Sequence, residues 1–292
     1  MKPLVSVLMA AYKAEKYIGE AIESVINSHY SNWELIIVDD KSPDNTLGVA
    51  REYETKDSRI KVYVNEVNLG DYPNRNKVAS LATGKYLKYL DNDDVLYHYS
   101  LDYMVDAMEN EPAAGLAIGF SIIDDDKPYP ILKKPVEVYK DEFLNKGFLG
   151  YGPSAAIIRH EVFKEFNGFS GKVFVGDQEL WLKIGAMYPI IKLQPALIWY
   201  RSHPEQESKR ERKDLTNYNI RFKICKDALE INKNLFSEEE YLYATKKMKR
   251  NYARLLCKNI LTPGQTKAAL KTWKSSGLSF IELTDGFKGY IP

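Results

Sequence analysis

Five of the eight aspartates in the first hundred residues fall in two clusters. "DNDD" sets Asp91, Asp93 and Asp94 within four positions, and "VDD" ends in Asp39 and Asp40. Carboxylates are hard oxygen donors, and one or two of them together with a diphosphate make an ordinary shell for Mg²⁺ or Mn²⁺. Asp is also a common cap of turns and helices. A single cluster is therefore open to either reading. The cation reading gains ground because the aspartates recur at the ends of separate strand-like runs.

Those runs supply the scaffold. "PLVSVLM" (3–9) is apolar without alternation, as expected of a strand covered on both faces. In the next stretch Ile18, Ala21, Ile22, Val25 and Ile26 recur at helical spacing. "WELIIVDD" (33–40) predicts a second strand, "SPDNTLGVAREYE" a capped helix, "RIKVYVN" (59–65) a third strand, "NRNKVASLATG" a short helix and "KYLKYLD" (85–91) a fourth strand. Strands alternating with helices predict an α/β fold with a mostly parallel sheet flanked by helices, and ligands of such sheets bind beyond the carboxyl ends of the strands. Tyr12, Asp39–Asp40 and Asp91–Asp94 all fall at such ends. Further on, "AAGLAIGFSIID" predicts a strand, "VGDQELWLKIGAMYP" a loop entering a helix and "PALIWYRSH" a strand entering a loop. From about Asp214 the pattern is helical.

Composition narrows the classes. A net charge of +1 gives no global field for nucleic acid or another polyanion, so any electrostatic function is local. Cys225 and Cys257 have no metal-ligand spacing and form no disulfide framework, which predicts a reduced, cytoplasmic setting. The N-terminal apolar run is too short for a signal peptide, and no run of about 18 apolar residues predicts a membrane span.

The loop after the first strand reads "MAAYKAEKY", without G-x-G-x-x-G, and no G-x-x-x-x-G-K-[ST] occurs. Glycine-rich backbone therefore does not cradle phosphates there. A cation on Asp91, Asp93 and Asp94 is the natural substitute if a nucleotide binds.

The succession "VSVLMAAYKAEKYIGEAIESVINSHYSNWELIIVDDKSPDNT", "NLGDYPNRNKVASLATGKYLKYLDNDD", "GYGPSAAIIRHEVFKEFNGF", "GDQELWLKIG" and "YRSH" resembles the inverting glycosyltransferases of family 2, over about residues 4–205. The resemblance implies a GT-A (Rossmann-like) domain over 1–205, with a nucleotide-sugar half at 1–97 and an acceptor half at 98–205. A helical C-terminal extension follows at 206–292. It places Ala11 and Tyr12 beside the nucleobase, Asp40 as acceptor for a uracil-type N–H with Asp39 next to it, and Arg75 near the diphosphate or ribose. Asp91, Asn92 and Asp93 stand at the D-x-D motif, and Asp93 and Asp94, with His203, are the implied metal ligands. Asp177 stands at the catalytic base. Simpler roles stay open for each: Tyr12 as packing, Asp39, Asp40 and Asp177 as helix caps, Arg75 as an ion-pair residue and His203 as a loop hydrogen-bonder. The chain also departs from the family pattern. Ala10 and Ala11 replace Pro and Thr, Lys13 replaces Asn, Asn74 opens the "A-R-N" triplet, and Gly176 replaces the acidic residue before the base.

The implied activity is transfer of a sugar, with inversion, from a UDP-sugar to a hydroxyl of a glycan or lipid-linked acceptor, assisted by Mn²⁺ or Mg²⁺, in cell-surface polysaccharide synthesis. The alternatives are a non-catalytic nucleotide-sugar-binding module and a sugar-phosphate nucleotidyltransferase; the latter lacks the basic glycine-rich loop it needs. Residues 204–213, "PEQESKRERK", read as a linker. The basic segments "ESKRERK" and "KKMKR" predict either a solvated helix face, peripheral contact with the inner face of a membrane, or a homodimer surface.

Overall fold

The computed structural model describes residues 2–119, 127–172, 175–203 and 215–286. The end of the "AAGLAIGFSIID" run and the 204–213 segment lie outside these residues. Two compact units emerge: residues 1–135 with 149–202, and residues 136–148 with 203–292.

The first unit begins β1 (Val5–Ala11), α1 (Ile18–Ile26), β2 (Trp33–Asp39), α2 (Thr46–Lys56), β3 (Ile60–Val64), α3 (Asp71–Ser80), β4 (Tyr86–Tyr89), β5 (Val95–Leu96) and α4 (Ser100–Asn110). It continues with β6 (Leu116–Gly119), β7 (Ile131–Lys133), β8 (Ala156–Arg159), α6 (His160–Glu165), α7 (Gly176–Met187), β9 (Ile190–Leu193) and β10 (Ile198–Trp199); helix α5 (Pro135–Leu144) lies between β7 and β8 in sequence. Among the described residues the main sheet has eight strands in the order β3-β2-β1-β4-β8-β6-β9-β7. Strands β3, β2, β1 and β4 are mutually parallel, as are β6 and β9, while β8 and β7 run antiparallel to their neighbours. The fold is thus α/β with a mostly parallel sheet flanked by helices.

Burial explains why the early strands read as unbroken apolar runs. Val5, Val7, Leu8 and Met9 are all fully buried, so β1 is covered on both faces. Helix α1 contributes Ile18, Ala21, Ile22 and Val25 to the same core, one stripe at helical spacing. Parallel register has a consequence for function. With Val5 opposite both Trp33 and Tyr86, strands β1, β2 and β4 end on one edge. Residues following Ala11, Asp39 and Tyr89 therefore emerge together. A separate two-stranded pairing, Leu96 with Ile198 and Val95 with Trp199, brings the segment after β10 alongside the segment after β4.

The second unit is helical: α5, α8 (Leu215–Ile231), α9 (Glu238–Leu261), α10 (Thr266–Ser276) and α11 (Phe280–Asp285). Phe222 stacks on Tyr252 at 4.3 Å between ring centroids, above Leu256, Cys257 and Leu283. Ser237 and Ser279 each form a capping box, with Glu240 and Glu282, which starts α9 and α11 sharply. Residues 136–148 join this unit although they fall between β7 and β8: Tyr139 and Phe143 pack against Phe236, and Lys140 pairs with Glu240 at 2.7 Å. Among the described residues no helix is long and apolar enough to cross a membrane.

Candidate active site

The two aspartates ending β2 do different work. The Asp40 carboxylate accepts the backbone N–H groups of Leu69 and Gly70, each at 2.8 Å, and Asn65 Nδ2 at 2.7 Å. Its own carbonyl accepts from Asn68 Nδ2. Asp40 thus holds the 65–70 loop against the sheet edge. That loop turns at Gly70 with φ +85°, a conformation costly for any residue with a Cβ. Asp39 spends Oδ2 on the N–H of Ser42 at 3.0 Å, while its Oδ1 is buried and without a hydrogen-bond partner. An unpaired buried acceptor is costly unless a ligand or water supplies the donor. Tyr12 stands on the neighbouring strand end, 44% exposed, after fully buried Ala11.

The segment after β4 is organised by cations. Arg75 Nη2 meets Asp91 Oδ1 at 2.8 Å, and Arg75 Nε meets Asp71 Oδ1 at 2.6 Å. Ser154 Oγ accepts the Asp91 N–H at 2.9 Å. Partial burial pushes the Asp91 carboxyl up, but the Arg75 charge and hydrogen bonds from Arg75 and Ser154 outweigh it and hold the group below its ordinary range. Asn92 Nδ2 donates to the Ala10 carbonyl at 3.2 Å, tying this turn to β1. Asp94 is buried and accepts the Arg201 N–H at 3.1 Å; Arg201 Nε donates to the Asp93 carbonyl, and its guanidinium also pairs with Glu20. Burial, then the charges of Asp91 and Asp93, push the Asp94 carboxyl up to about 8. Below the cluster, fully buried Lys88 donates to the carbonyls of Tyr89 and Ser154, and burial pulls its ammonium down to about 7.

The donor chemistry suits a hard divalent cation. The charges of Asp91 and Asp93 add to the proton affinity of Asp94, a repulsion that a cation relieves. Among the described residues no three His, Cys, Asp or Glu side chains form a ready cage. A cation here would take one or two carboxylates and complete its shell from a diphosphate.

Asp177 lies in the first turn of α7. Its N–H donates to the Tyr72 hydroxyl at 3.1 Å, and its carboxylate accepts the Gln178 N–H at 2.6 Å. Asp177 Oδ2 is 3.9 Å from where a Cβ on Gly152 would sit, so the "GYGPS" loop borders it closely. Burial, with the Asp177 carboxylate adding to it, holds the Tyr72 phenol far above its ordinary value. It is a neutral hydroxyl throughout the physiological range. Helix α7 is anchored from its buried side by Trp181, whose Nε1 donates to the Tyr151 carbonyl at 2.9 Å.

Tyr12, Asp39, Asp40, Asn92 and the Asp91–Asp94 cluster therefore gather on one sheet edge, and Arg75 reaches that edge from α3. Asp177 joins them through Tyr72, three residues from Arg75 on the same helix. His203 opens the second segment of the second unit. Tyr72, Ser154 and Arg201 were not singled out from the sequence. Each sits inside a quoted motif, "NLGDYPNRN", "GYGPS" or "YRSH", but nothing in its type marks it apart from its neighbours.

Fold and site together define a glycosyltransferase of the GT-A kind. Residues 6–166 match the model of glycosyl transferase family 2, and the chain belongs to that family. An uncharacterized glycosyltransferase of Haemophilus influenzae is 31% identical over 219 residues, 70% of this chain and 68% of that protein. The Escherichia coli UDP-Glc:alpha-D-GlcNAc-diphosphoundecaprenol beta-1,3-glucosyltransferase WfgD is 30% identical over 181 residues, 62% of this chain and 69% of that protein. Two solved structures share the fold. Staphylococcus aureus TarS 1-349 in complex with UDP has a TM-score of 0.62 at 19% identity, covering 97% of this chain and 77% of the other. Mannosyltransferase PcManGT from Pyrobaculum calidifontis, in complex with GDP-Man and Mn²⁺, has a TM-score of 0.64 at 17% identity, covering 98% and 84%.

Proposed function

We propose that the chain transfers a sugar from a UDP-sugar, with inversion and with Mn²⁺ or Mg²⁺, to a hydroxyl of a glycan or lipid-linked acceptor in cell-surface polysaccharide synthesis. The observation that carries this reading is the reach of α3. Tyr72 touches Asp177 and Arg75 touches Asp91, so a proton acceptor and a cation-type carboxylate cluster are served by side chains one helical turn apart.

In this reading Asp39 reads the base: its unpaired Oδ1 accepts the uracil N–H while Tyr12 borders the ring. Asp40 builds the loop around the pocket. Arg75 fixes Asp91, and Asp93 and Asp94 hold the cation, which offsets charge on the leaving diphosphate when bound. Asp177 takes the proton of the acceptor hydroxyl as that oxygen bonds to the anomeric carbon and the bond to the diphosphate breaks on the opposite face. General-base help of this kind is typically worth about 10²- to 10⁴-fold. WfgD, whose name gives a UDP-Glc donor and a diphosphoundecaprenol acceptor, supports both the donor and the lipid-linked acceptor. PcManGT, in complex with GDP-Man and Mn²⁺, supports the metal, and its guanine nucleotide is the comparison for the test below.

The test is UDP release from a panel of UDP-sugars with Mn²⁺, beside GDP-mannose, with and without chelator. Turnover of a UDP-sugar that chelation removes supports the reading. Turnover confined to GDP-mannose, or unchanged by chelation, defeats the base or the metal assignment respectively.

A further inference from the structure

The first turn of α7 has an unusual cap. The early N–H groups of a helix have no acceptor within the helix, and a side chain from the N-cap residue ordinarily supplies one. Here the N-cap is Val175, which offers no side-chain hydrogen bond. The Asp177 N–H is instead taken by the hydroxyl of Tyr72, 105 residues earlier, at 3.1 Å. The Tyr72 ring is 4% exposed and leans on Phe169 with ring centroids 5.1 Å apart. It also covers Gly176. A Cβ built there would lie 3.1 Å from three ring carbons, inside ordinary van der Waals contact. The phenol thus grips two consecutive residues: its ring occupies the space of a missing side chain at 176, and its oxygen fixes the amide of 177.

We propose that Tyr72 is the positioning residue of Asp177, holding the first turn of α7 so that the carboxylate faces the site. The proposal rests on the reading of Asp177 as the base. It also gives a reason for Gly176, because with Tyr72 in place a side chain there would have to displace the ring. Tyr72 and Arg75 share one face of α3, so the helix that fixes Asp91 on the donor side fixes the base as well. A shift of α3 is felt at both ends of the reaction.

The test uses the full chain. UDP release from UDP-glucose and UDP-N-acetylglucosamine with Mn²⁺ is measured alongside UDP affinity by calorimetry, for wild type, Tyr72→Phe, Asp177→Asn and the double variant. Tyr72→Phe keeps the ring and removes the acceptor. The expected result is a fall in kcat of roughly tenfold to a hundredfold, the scale of a misplaced catalytic group. UDP affinity should stay within about twofold, and the double variant should lose no more than Asp177→Asn alone, because Tyr72 acts only through Asp177. A wild-type kcat in Tyr72→Phe, or the same fold-loss in both backgrounds, overturns the proposal. Wild-type turnover in Asp177→Asn instead strikes the base reading, and melting then decides the contact by itself. Gly176→Ala should lower the melting temperature in the wild type and leave it unchanged in a Tyr72→Ala background. Equal drops in both backgrounds overturn the contact.

Discussion

Arg75 Nη2 lies 2.8 Å from Asp91 Oδ1, while Nε of the same guanidinium lies 2.6 Å from Asp71 Oδ1. One planar cation therefore locks the first residue of "DNDD" to the helix that precedes β4. The Arg75 side chain is only 12% exposed, so its charge is committed to these two carboxylates in the absence of a ligand. Removing one partner of a buried pair costs about 3–5 kcal/mol, and less where the other partner reaches water. Asp91 and Asp71 keep 32% and 28% exposure. Arg75→Met should accordingly cost about 2 kcal/mol in urea unfolding and weaken UDP-sugar turnover. Arg75→Lys should recover little of either, because a point charge cannot bridge both carboxylates.

Asp39 and Asp40 are adjacent, and their substitutions should separate cleanly. Asp40→Asn leaves up to three donors competing for one carbonyl oxygen. Since bonds to charged acceptors contribute about 1.5–3 kcal/mol each, a stability loss of about 2–3 kcal/mol is expected by chemical denaturation. Asp39→Asn keeps the bond from the Ser42 N–H and should melt close to wild type. Its UDP affinity, measured by calorimetry, should fall at least about tenfold, the value of one bond to a charged acceptor.

Asp177→Asn keeps the Tyr72 contact, which uses the backbone N–H, and removes the proton acceptor. Sugar transfer should drop by about 10²- to 10⁴-fold with UDP binding unchanged. Retained transfer in this variant would show that another group takes the proton.

His160 supplies a pH dependence away from the site. Its Nδ1 lies 2.8 Å from the Gly84 carbonyl, and burial, aided by Lys164, pulls the imidazole below its ordinary value. The folded state thus binds fewer protons than the unfolded state below the unfolded value of about 6.5. Stability from this group is fully present above about pH 6.5 and is lost as the pH falls from there through the lowered folded value. The slope is at most about 1.4 kcal/mol per pH unit. The urea midpoint of wild type should drop between pH 7 and pH 5.5 by more than that of His160→Gln, which keeps a donor toward Gly84.

Local pattern carried the first unit's opening half. Unbroken apolar runs at 3–9 and 33–38, a helical stripe from Ile18 to Ile26 and turn residues between them are short-range signals, and short-range signals are what a sequence displays directly. The parallel sheet follows from them, and so does the gathering of Tyr12, Asp39, Asp40 and Asp91–Asp94 on one edge, because parallel strands end together.

The occupancy of each carboxylate was decided by contacts between distant segments. Asp39 and Asp40 are the same residue type at neighbouring positions. Only the return of the 65–70 loop, about 30 residues later, fills one and leaves an oxygen of the other unpaired. Asp94 receives its partner from Arg201 and Asp177 from Tyr72, pairings more than 100 residues apart that no periodicity encodes. The grouping of residues 136–148 with the helical unit is of the same kind: Tyr139 and Phe143 meet Phe236, and nothing in their own spacing says which aromatic they will find. By itself, then, the sequence determined the chemistry available at the sheet edge, because residue type and local period are written in it. Tertiary structure alone decided which groups are already satisfied and which are left for a ligand, because satisfaction depends on partners brought together only when the chain closes on itself.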